Sequence, residues 1–433
     1  MVFISWFKSA ALAAALTPLA APLWAAVPLT LAEAQLMAAD RSQQLVAQSA
    51  VTRAAREMAV SAGQWPDPVL KLGVDNLPVT GADQFSLSRD FMTMRRIGLS
   101  QEITRSDKRL LKTERFERDA ERAQAQRQLV FAALQRDTAL AWLDVYYAQA
   151  MRTLVQQQLE ETRLQGQSAE IAFRAGKGSQ ADVFAARAAL VMQEDRLSQI
   201  DRQRRSAELM LARWIGADAH RPLGGQAAWQ TSAIGDMPLV QHLQRHPQLA
   251  VMAAQLDAAE TDARLAQANT RPDWTLEAAF QQRGPSFSNM VSIGVSIPLQ
   301  WDQKNRQNRE VSAKLALVDE AKANYEDTLR AHQAEVSAWI NDWQNGKERV
   351  ARYTTQLLPI AKQRTEAALT AYRVGKADLA SALTARRDDI DTRLQALSLE
   401  LETARLWAQF NYLASASAHA DMPAPPVSVK DKP

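Results

Sequence analysis

Ala172–Arg187 reads AFRAGKGSQADVFAAR, and Ala371–Arg386 reads AYRVGKADLASALTAR. Offset by 199 residues, the two segments agree at seven of sixteen positions, among them Arg174/Arg373, Gly176/Gly375, Lys177/Lys376 and Arg187/Arg386. Two weaker echoes lie upstream of each. Pro66-Asp67-Pro68-Val69-Leu70 is answered by Pro272-Asp273-Trp274-Thr275-Leu276, and Ile97-Gly98-Leu99-Ser100 by Ile293-Gly294-Val295-Ser296. The order is the same in both halves, so the chain is one unit written twice.

Within each unit the pattern predicts a helix, two strands, a very long helix, a turn and a second long helix. The first helix runs over 31–62 and is closed by Gly63 and Pro66; its counterpart runs over 238–269 and is closed by Pro272. Neither Pro nor Gly occurs in 106–164 or in 303–345. A helix of that length spans roughly 90 Å, far more than one globular core supports, so it requires helical partners along its side. The apolar spacing agrees. Ile390, Leu394, Leu397, Leu401, Ala404 and Ala408 step by four and three like a coiled-coil seam, and Val130, Leu134, Ala141 and Val145 fit the same period.

Four shorter stretches alternate with period two instead. Leu70, Leu72 and Val74 form one; Trp274, Leu276, Ala278 and Phe280 another; Val291, Ile293, Val295, Ile297 and Leu299 a third. The fourth, over 92–103, is less regular, and Arg95-Arg96 is expected to mark a bulge. Runs of about ten residues suit strands crossing a bilayer at a tilt. The two hairpin tips, 78–90 and 283–289, hold Gly, Pro and Ser and are expected to be external loops. Four strands cannot close a barrel, and an open sheet edge is not tolerated in lipid, so a membrane reading demands several copies of the chain.

Composition fits this picture and excludes others. The 433 residues are 47% hydrophobic yet only 6% aromatic, and 23% charged with a net charge of +3. The signs are interspersed and no basic block with interleaved aromatics appears, so no nucleic-acid partner is indicated. There is no cysteine, hence no disulfide, no thiolate metal site and no cysteine-borne lipid. Lys8, the apolar run 9–16 and the small residues up to Ala26 have the layout of a cleavable signal peptide over 1–26. The remaining organisation is a first repeat over 27–216, a linking segment over 217–237, a second repeat over 238–413 and a flexible tail over 414–433.

The Leu29-Thr30-Leu31-Ala32-Glu33-Ala34 opening, the two strand hairpins and the paired (Phe/Tyr)-Arg-x-Gly-Lys turns resemble the TolC family of outer-membrane efflux proteins over 29–413. Within it, 66–78 and 92–98 are similar to the CzcC-type branch, which is associated with heavy-metal cation export. The resemblance implies a mainly helical fold with a small membrane β part. Three protomers would give one twelve-stranded barrel, continued into a coiled-coil tunnel in the periplasm. It implies a membrane-fusion adaptor and an inner-membrane RND transporter as partners, and outer-membrane lipid around the barrel.

On that resemblance the turns carrying Arg174, Gly176, Lys177, Asp182 and Arg187, and Arg373, Gly375, Lys376 and Arg386, are the periplasmic tips where the adaptor docks. Asp182 stands where relatives carry an acidic residue that ties neighbouring helices. Some relatives place an acidic ring at the positions of Ser381 and Thr384; here the nearest carboxylates are Asp378, Asp388 and Asp389, which become the candidate gate with those two residues. Leu70, Leu72, Val74, Leu276, Phe280, Ile293, Val295 and Ile297 are the expected membrane-facing residues.

No enzyme signature accompanies these features. Gly176-Lys177-Gly178-Ser179 lacks the earlier Gly and the preceding strand of a phosphate loop. His242 and His246 are four apart, but no third ligand is evident. No cofactor and no resident metal are expected. Met92 and Met94 are expected to face lipid. Two alternatives stay open: a duct for drugs or secreted proteins, and a soluble coiled-coil scaffold.

Overall fold

A computed structural model describes residues 28–225, 228–232 and 246–412. The expected signal peptide, the tail, residues 226–227 and 233–237 of the segment linking the repeats, the beginning of the second repeat and His242 lie outside the described residues. The elements follow the repeat. Helices α1 (Leu31–Arg41) and α2 (Gln43–Ala62) precede strands β1 (Val69–Asp75) and β2 (Met94–Ile103). Then come α3 (Ser106–Arg174) and α4 (Gln180–Ile215), ending in a short 3₁₀ turn, Gly216–His220. The second half gives α5 (Pro247–Ala268), β3 (Trp274–Gln282), β4 (Met290–Ser296), α6 (Gln307–Arg352), α7 (Leu358–Arg373) and α8 (Leu379–Asn411).

Three boundaries differ from the sequence expectation. The single helix over 31–62 is two, because Ser42 leaves helical geometry and its hydroxyl accepts from Leu45 N to cap a new helix. α3 reaches Arg174, passing straight through Gly166. In the second half one turn of π-helix, Tyr353–Leu357, sits between α6 and α7. Pro359 follows it after one residue, Leu358. The proline ring cannot donate and would clash with the carbonyl four residues back, and a wider turn relieves both problems. The hydroxyls of Thr354 and Thr355 accompany it, donating to the carbonyls of Val350 and Ala351.

All four strands pair antiparallel in the order β1-β2-β3-β4, leaving β1 and β4 each with an open edge. The register from Val69↔Ser100 to Asp75↔Met94, and from Arg95↔Gln282 to Ile103↔Trp274, runs without interruption. The expected bulge at Arg95-Arg96 is therefore absent: the two arginines simply point to opposite faces. β1 and β4 are shorter than ten residues, and β4 stops at Ser296, so Ile297 and Leu299 fall beyond the strand. Pro298, which has no N–H to give a ladder, follows the stop.

Register sorts the side chains. One face collects Leu70, Leu72, Val74, Ile97, Leu99, Trp274, Leu276, Phe280, Val291, Ile293 and Val295. All are exposed, up to 77% for Ile293. The opposite face carries Lys71, Asp75, Arg96, Ser100, Glu277 and Ser292. Met94 pairs with Asp75 and lies on this polar face, against the expectation that it faces lipid; Met92 precedes the strand.

The main core lies far from the sheet, at mid-length of α3 and at the C-terminal ends of α4 and α8, where Trp142, Leu143, Val145, Tyr147, Leu211, Ala404, Ala408 and Phe410 are buried together. Both expected seams run into it, with Leu134, Ala141 and Val145 buried on α3 and Ala404 and Ala408 on α8. Three indoles fasten the straps that cross this waist. Trp142 Nε1 donates to Leu29 O (3.2 Å), Trp343 Nε1 to Trp229 O (2.8 Å) and Trp407 Nε1 to Thr231 O (3.0 Å). The first two clasps repeat one another across the halves of the chain. At the sheet end, Lys108 is buried at the start of α3 and bonds Asp273 Oδ2 (2.8 Å) and Arg271 O (2.6 Å), fixing the helix to the base of β3.

Candidate functional site

The two Gly-Lys turns are the ends of the helical hairpins α3/α4 and α7/α8, and they close identically. Gly176 (φ 67°) and Gly375 (φ 72°) occupy the left-handed region that a side chain disfavours. Lys177 N returns to Ala172 O and Gly176 N to Phe173 O; Lys376 N returns to Ala371 O and Gly375 N to Tyr372 O, at 2.9 and 3.0 Å in both turns. This is the Schellman closure of a helix C-terminus. It explains why the glycine and its place in the turn recur. The lysines that follow stand exposed at the far end of the molecule.

Beyond each turn an acidic residue starts the returning helix. Asp182 completes a capping box with Ser179, whose hydroxyl accepts from Asp182 N (3.1 Å) while Asp182 Oδ2 accepts from Ser179 N (3.0 Å). Asp378 caps α8 by accepting from Ser381 N (2.8 Å), and the Ser381 side chain, followed by this backbone bond, holds its carboxyl below the usual range. Both carboxylates thus serve their own helix. Thr384 donates to Ala380 O (2.9 Å), and Asp388 pairs with Arg364 of α7 (3.0 Å). Asp389 is buried and receives Arg393 Nε (3.0 Å). Each candidate gate residue therefore has a local partner within its own hairpin.

The arginines separate into different roles. Arg174 pairs with Glu170 one turn back (2.7 Å), and Arg187 and Arg373 are exposed. Arg386 does something else. Its side chain, 15% exposed, crosses from α8 to α3, where it pairs with Glu161 and donates from Nε to Gln158 Oε1 (3.3 Å). Burial pulls its guanidinium below the usual arginine value, Asp389 opposing and Arg393 adding to the effect. A second bridge runs the other way, from Arg196 on α4 to Asp391 on α8 (2.5 Å). The two hairpins are thus clasped by crossed ion pairs above their tips. Arg187, the repeat partner of Arg386, makes no such bridge among the described residues.

At the opposite end, the polar face of the sheet is knitted by charge. Lys71 of β1 bonds Glu277 of β3 (2.5 Å), and Arg96 of β2 reaches both Asp75 (3.2 Å) and Glu277 (3.6 Å). His246 is remote from both ends; it caps α5 by accepting from Gln248 N (3.2 Å), and its ring lies 4.0 Å from that of His332. Among the described residues no group of three or more His, Asp or Glu is arranged to hold a metal, and no helix is long and apolar enough to cross a membrane. What the arrangement offers is an apolar sheet face for lipid, a polar face for water, and a long helical body ending in clasped tips.

The family model described as outer membrane efflux protein matches residues 36–217 and 239–413. The chain belongs to this outer membrane efflux protein family. Solved structures agree in fold. The outer-membrane channel OprN aligns with TM-score 0.75 at 20% identity, covering 89% of both chains. CusC, whose crystal structures concern folding and transmembrane channel formation, aligns with TM-score 0.75 at 15% identity over 90% of this chain and 93% of its own. The outer membrane protein VceC of Vibrio cholerae aligns with TM-score 0.71 at 19% identity, covering 89% and 96%. No curated protein matches the chain significantly in sequence.

As a member of this family, the chain is an outer membrane efflux component. Sequence reasoning placed the two Gly-Lys turns and the strands, and it singled out Arg386 as a tip residue, not as the bridge between hairpins that it makes. It missed Glu161, Gln158, Arg196 and Asp391, which are ordinary charged or amide residues on long helices until the packing brings them together. It also missed the tryptophan clasps. A signal for these did exist, because Trp142 and Trp343 stand almost one repeat length apart, as do Leu29 and Trp229.

Proposed function

We propose that three copies of this chain close a single barrel, continued into a helical tunnel, as the outer-membrane exit duct of a tripartite efflux system for heavy-metal cations. The observation that carries the duct is the sheet: four strands with two open edges, one face apolar but for Gln101 and the rim pair Arg95 and Gln282, and no room for a barrel in one copy. Three copies of a four-stranded sheet supply twelve strands, enough to surround an aqueous lumen lined by the Lys71–Glu277–Arg96–Asp75 network. A membrane-fusion adaptor docks at the tips bearing Lys177 and Lys376, and an inner-membrane RND transporter drives the cargo. Breaking the Arg386–Glu161 and Arg196–Asp391 bridges lets the hairpins part.

The cargo rests on the CzcC-like character of 66–78 and 92–98. Its test is a deletion strain challenged with zinc, cobalt, cadmium and copper salts and, separately, with detergents and antibiotics. Loss of metal tolerance restored by the intact gene supports cation export; unchanged metal tolerance with drug sensitivity would move the cargo to organic compounds. The assembly is tested by the mass of the detergent-extracted protein, which should be near three times that of the mature chain.

A further inference from the structure

The apolar face of the sheet has one ionisable residue, and it sits at one end. Rows read across the strands run Leu70–Leu99–Ala278–Ile293, then Leu72–Ile97–Phe280–Val291, then Val74–Arg95–Gln282. Arg95 is in this last row, nearest the loops, where the apolar band gives way to Gln282. At the other end of the same face stand Trp274 and Ile103, and Trp65 lies just before β1 with Arg109 over its ring. The face is therefore polarised, indole below and guanidinium above. Tryptophan favours a membrane–water interface, and an arginine facing lipid is costly at mid-bilayer but nearly free at the headgroup level.

The arginines around it are accounted for in other ways. Arg96 turns inward to Asp75 and Glu277, and Arg89 in the loop pairs with Asp83 (3.5 Å). Arg95 is exposed, and among the described residues no carboxylate lies within 4.0 Å of it; its one polar contact is to Arg283 O (3.5 Å). Arg283, the residue after β3, supplies that carbonyl from its main chain. Its guanidinium donates to Phe91 O and lies over the Phe287 ring, likewise with no carboxylate partner among the described residues. An exposed guanidinium with no carboxylate partner among the described residues, at the rim of the apolar band, is left available to an outside anion.

We propose that Arg95 binds the phosphate of a lipid headgroup in the leaflet nearest the loops. The guanidinium fork matches phosphate oxygens with two parallel hydrogen bonds, while the acyl chains lie along Val74, Leu72, Ile97 and Phe280. Lipid, rather than a free anion, is the partner because those apolar rows begin immediately below the arginine. The proposal rests on the barrel reading above, since only that reading places this face in a bilayer.

The test uses the full-length protein in a neutral detergent, offered diphosphoryl lipid A or the same lipid without phosphates, with bound lipid counted by native mass spectrometry. The wild type should retain the phosphorylated lipid about fivefold better or more, R95Q should lose that preference, and R95K should keep only part of it because lysine offers a point charge in place of a fork. R89Q, altered in the loop, should behave as the wild type. Equal retention of both lipids by the wild type, or an undiminished preference in R95Q, overturns the proposal. So does displacement of the lipid by inorganic phosphate alone, which would make the site one for free anions. A wild type that needs no detergent, or runs as a single chain, defeats the barrel reading instead and is distinguishable from either result.

Discussion

Trp343 sits where two demands meet: its ring packs edge-on against Phe410 (5.3 Å between centroids) while its N–H holds the strap at Trp229. W343F keeps most of the packing and strands the carbonyl, so it should cost about 1–3 kcal/mol, read as a lower melting temperature of the detergent-solubilised protein. A melting temperature unchanged from the wild type would show that the strap is held by something else. Glu400 gives a pH-dependent case. Burial pushes its carboxyl above the usual range, with the Tyr147 hydroxyl partly offsetting this, and burial likewise pushes the Tyr147 phenol up. Folding thus favours the protonated acid, a contribution complete below the ordinary glutamate value and lost as the pH rises through the raised one. E400Q should therefore melt above the wild type at about pH 8, and the gap should close toward about pH 4. A gap that widens on acidification would mean that Glu400 is charged and paired in the assembled protein.

Among the elements, α6 and α8 approach closely at Gly346, where an added Cβ would lie 2.5 Å from Thr403 Oγ1. G346V should push the two helices apart at a cost of about 1–3 kcal/mol, measurable by thermal unfolding, whereas G176A, with nothing near its Cβ, pays only for its backbone angle. The crossed clasp between hairpins predicts that R386A combined with D391A raises single-channel conductance in planar bilayers. No change would remove these bridges from the gating argument. The helices, turns and strand faces were legible in the sequence because each rests on local periodicity, as the heptads of α8 and the alternation of β3 do. The break at Ser42 was legible in principle, from its serine cap, but the apolar pattern runs on through it and hides it. The π turn was less so, since Pro359 alone predicts a kink and not the form it takes. Arg95-Arg96 misled because two adjacent charges look like a broken phase; the alternation is intact, and the charge on the apolar face lies at its rim. The bridges to Glu161 and Asp391 were illegible for a different reason, being set by how two helical hairpins lie side by side.

For the whole molecule, the sheet and the helical body make separable demands. I293R places a cation on an interior row of the apolar face, at about 2–4 kcal/mol per copy near mid-bilayer, while touching nothing in the helices. Membrane-inserted trimer should fall steeply and helical circular dichroism should persist; retention of full insertion would argue that this face meets protein and not lipid. The uninterrupted run of α3 has a consequence of another kind, for how such a chain can change length over evolutionary time. α3 is pinned at its start by Lys108, at mid-length by the strap on Trp142 and near its end by Arg386 reaching Glu161. One inserted residue anywhere between two of those pins would swing everything beyond it by about 100° and carry the next pin to the wrong side of the rod. Lengthening is therefore admissible only in near-whole turns, and only if α4 and the opposite hairpin grow by the same amount so that Gly176 and Gly375 still end level. Homologues of different reach should accordingly differ by matched blocks in all four long arms, with single-residue insertions confined to the loops beyond the strands.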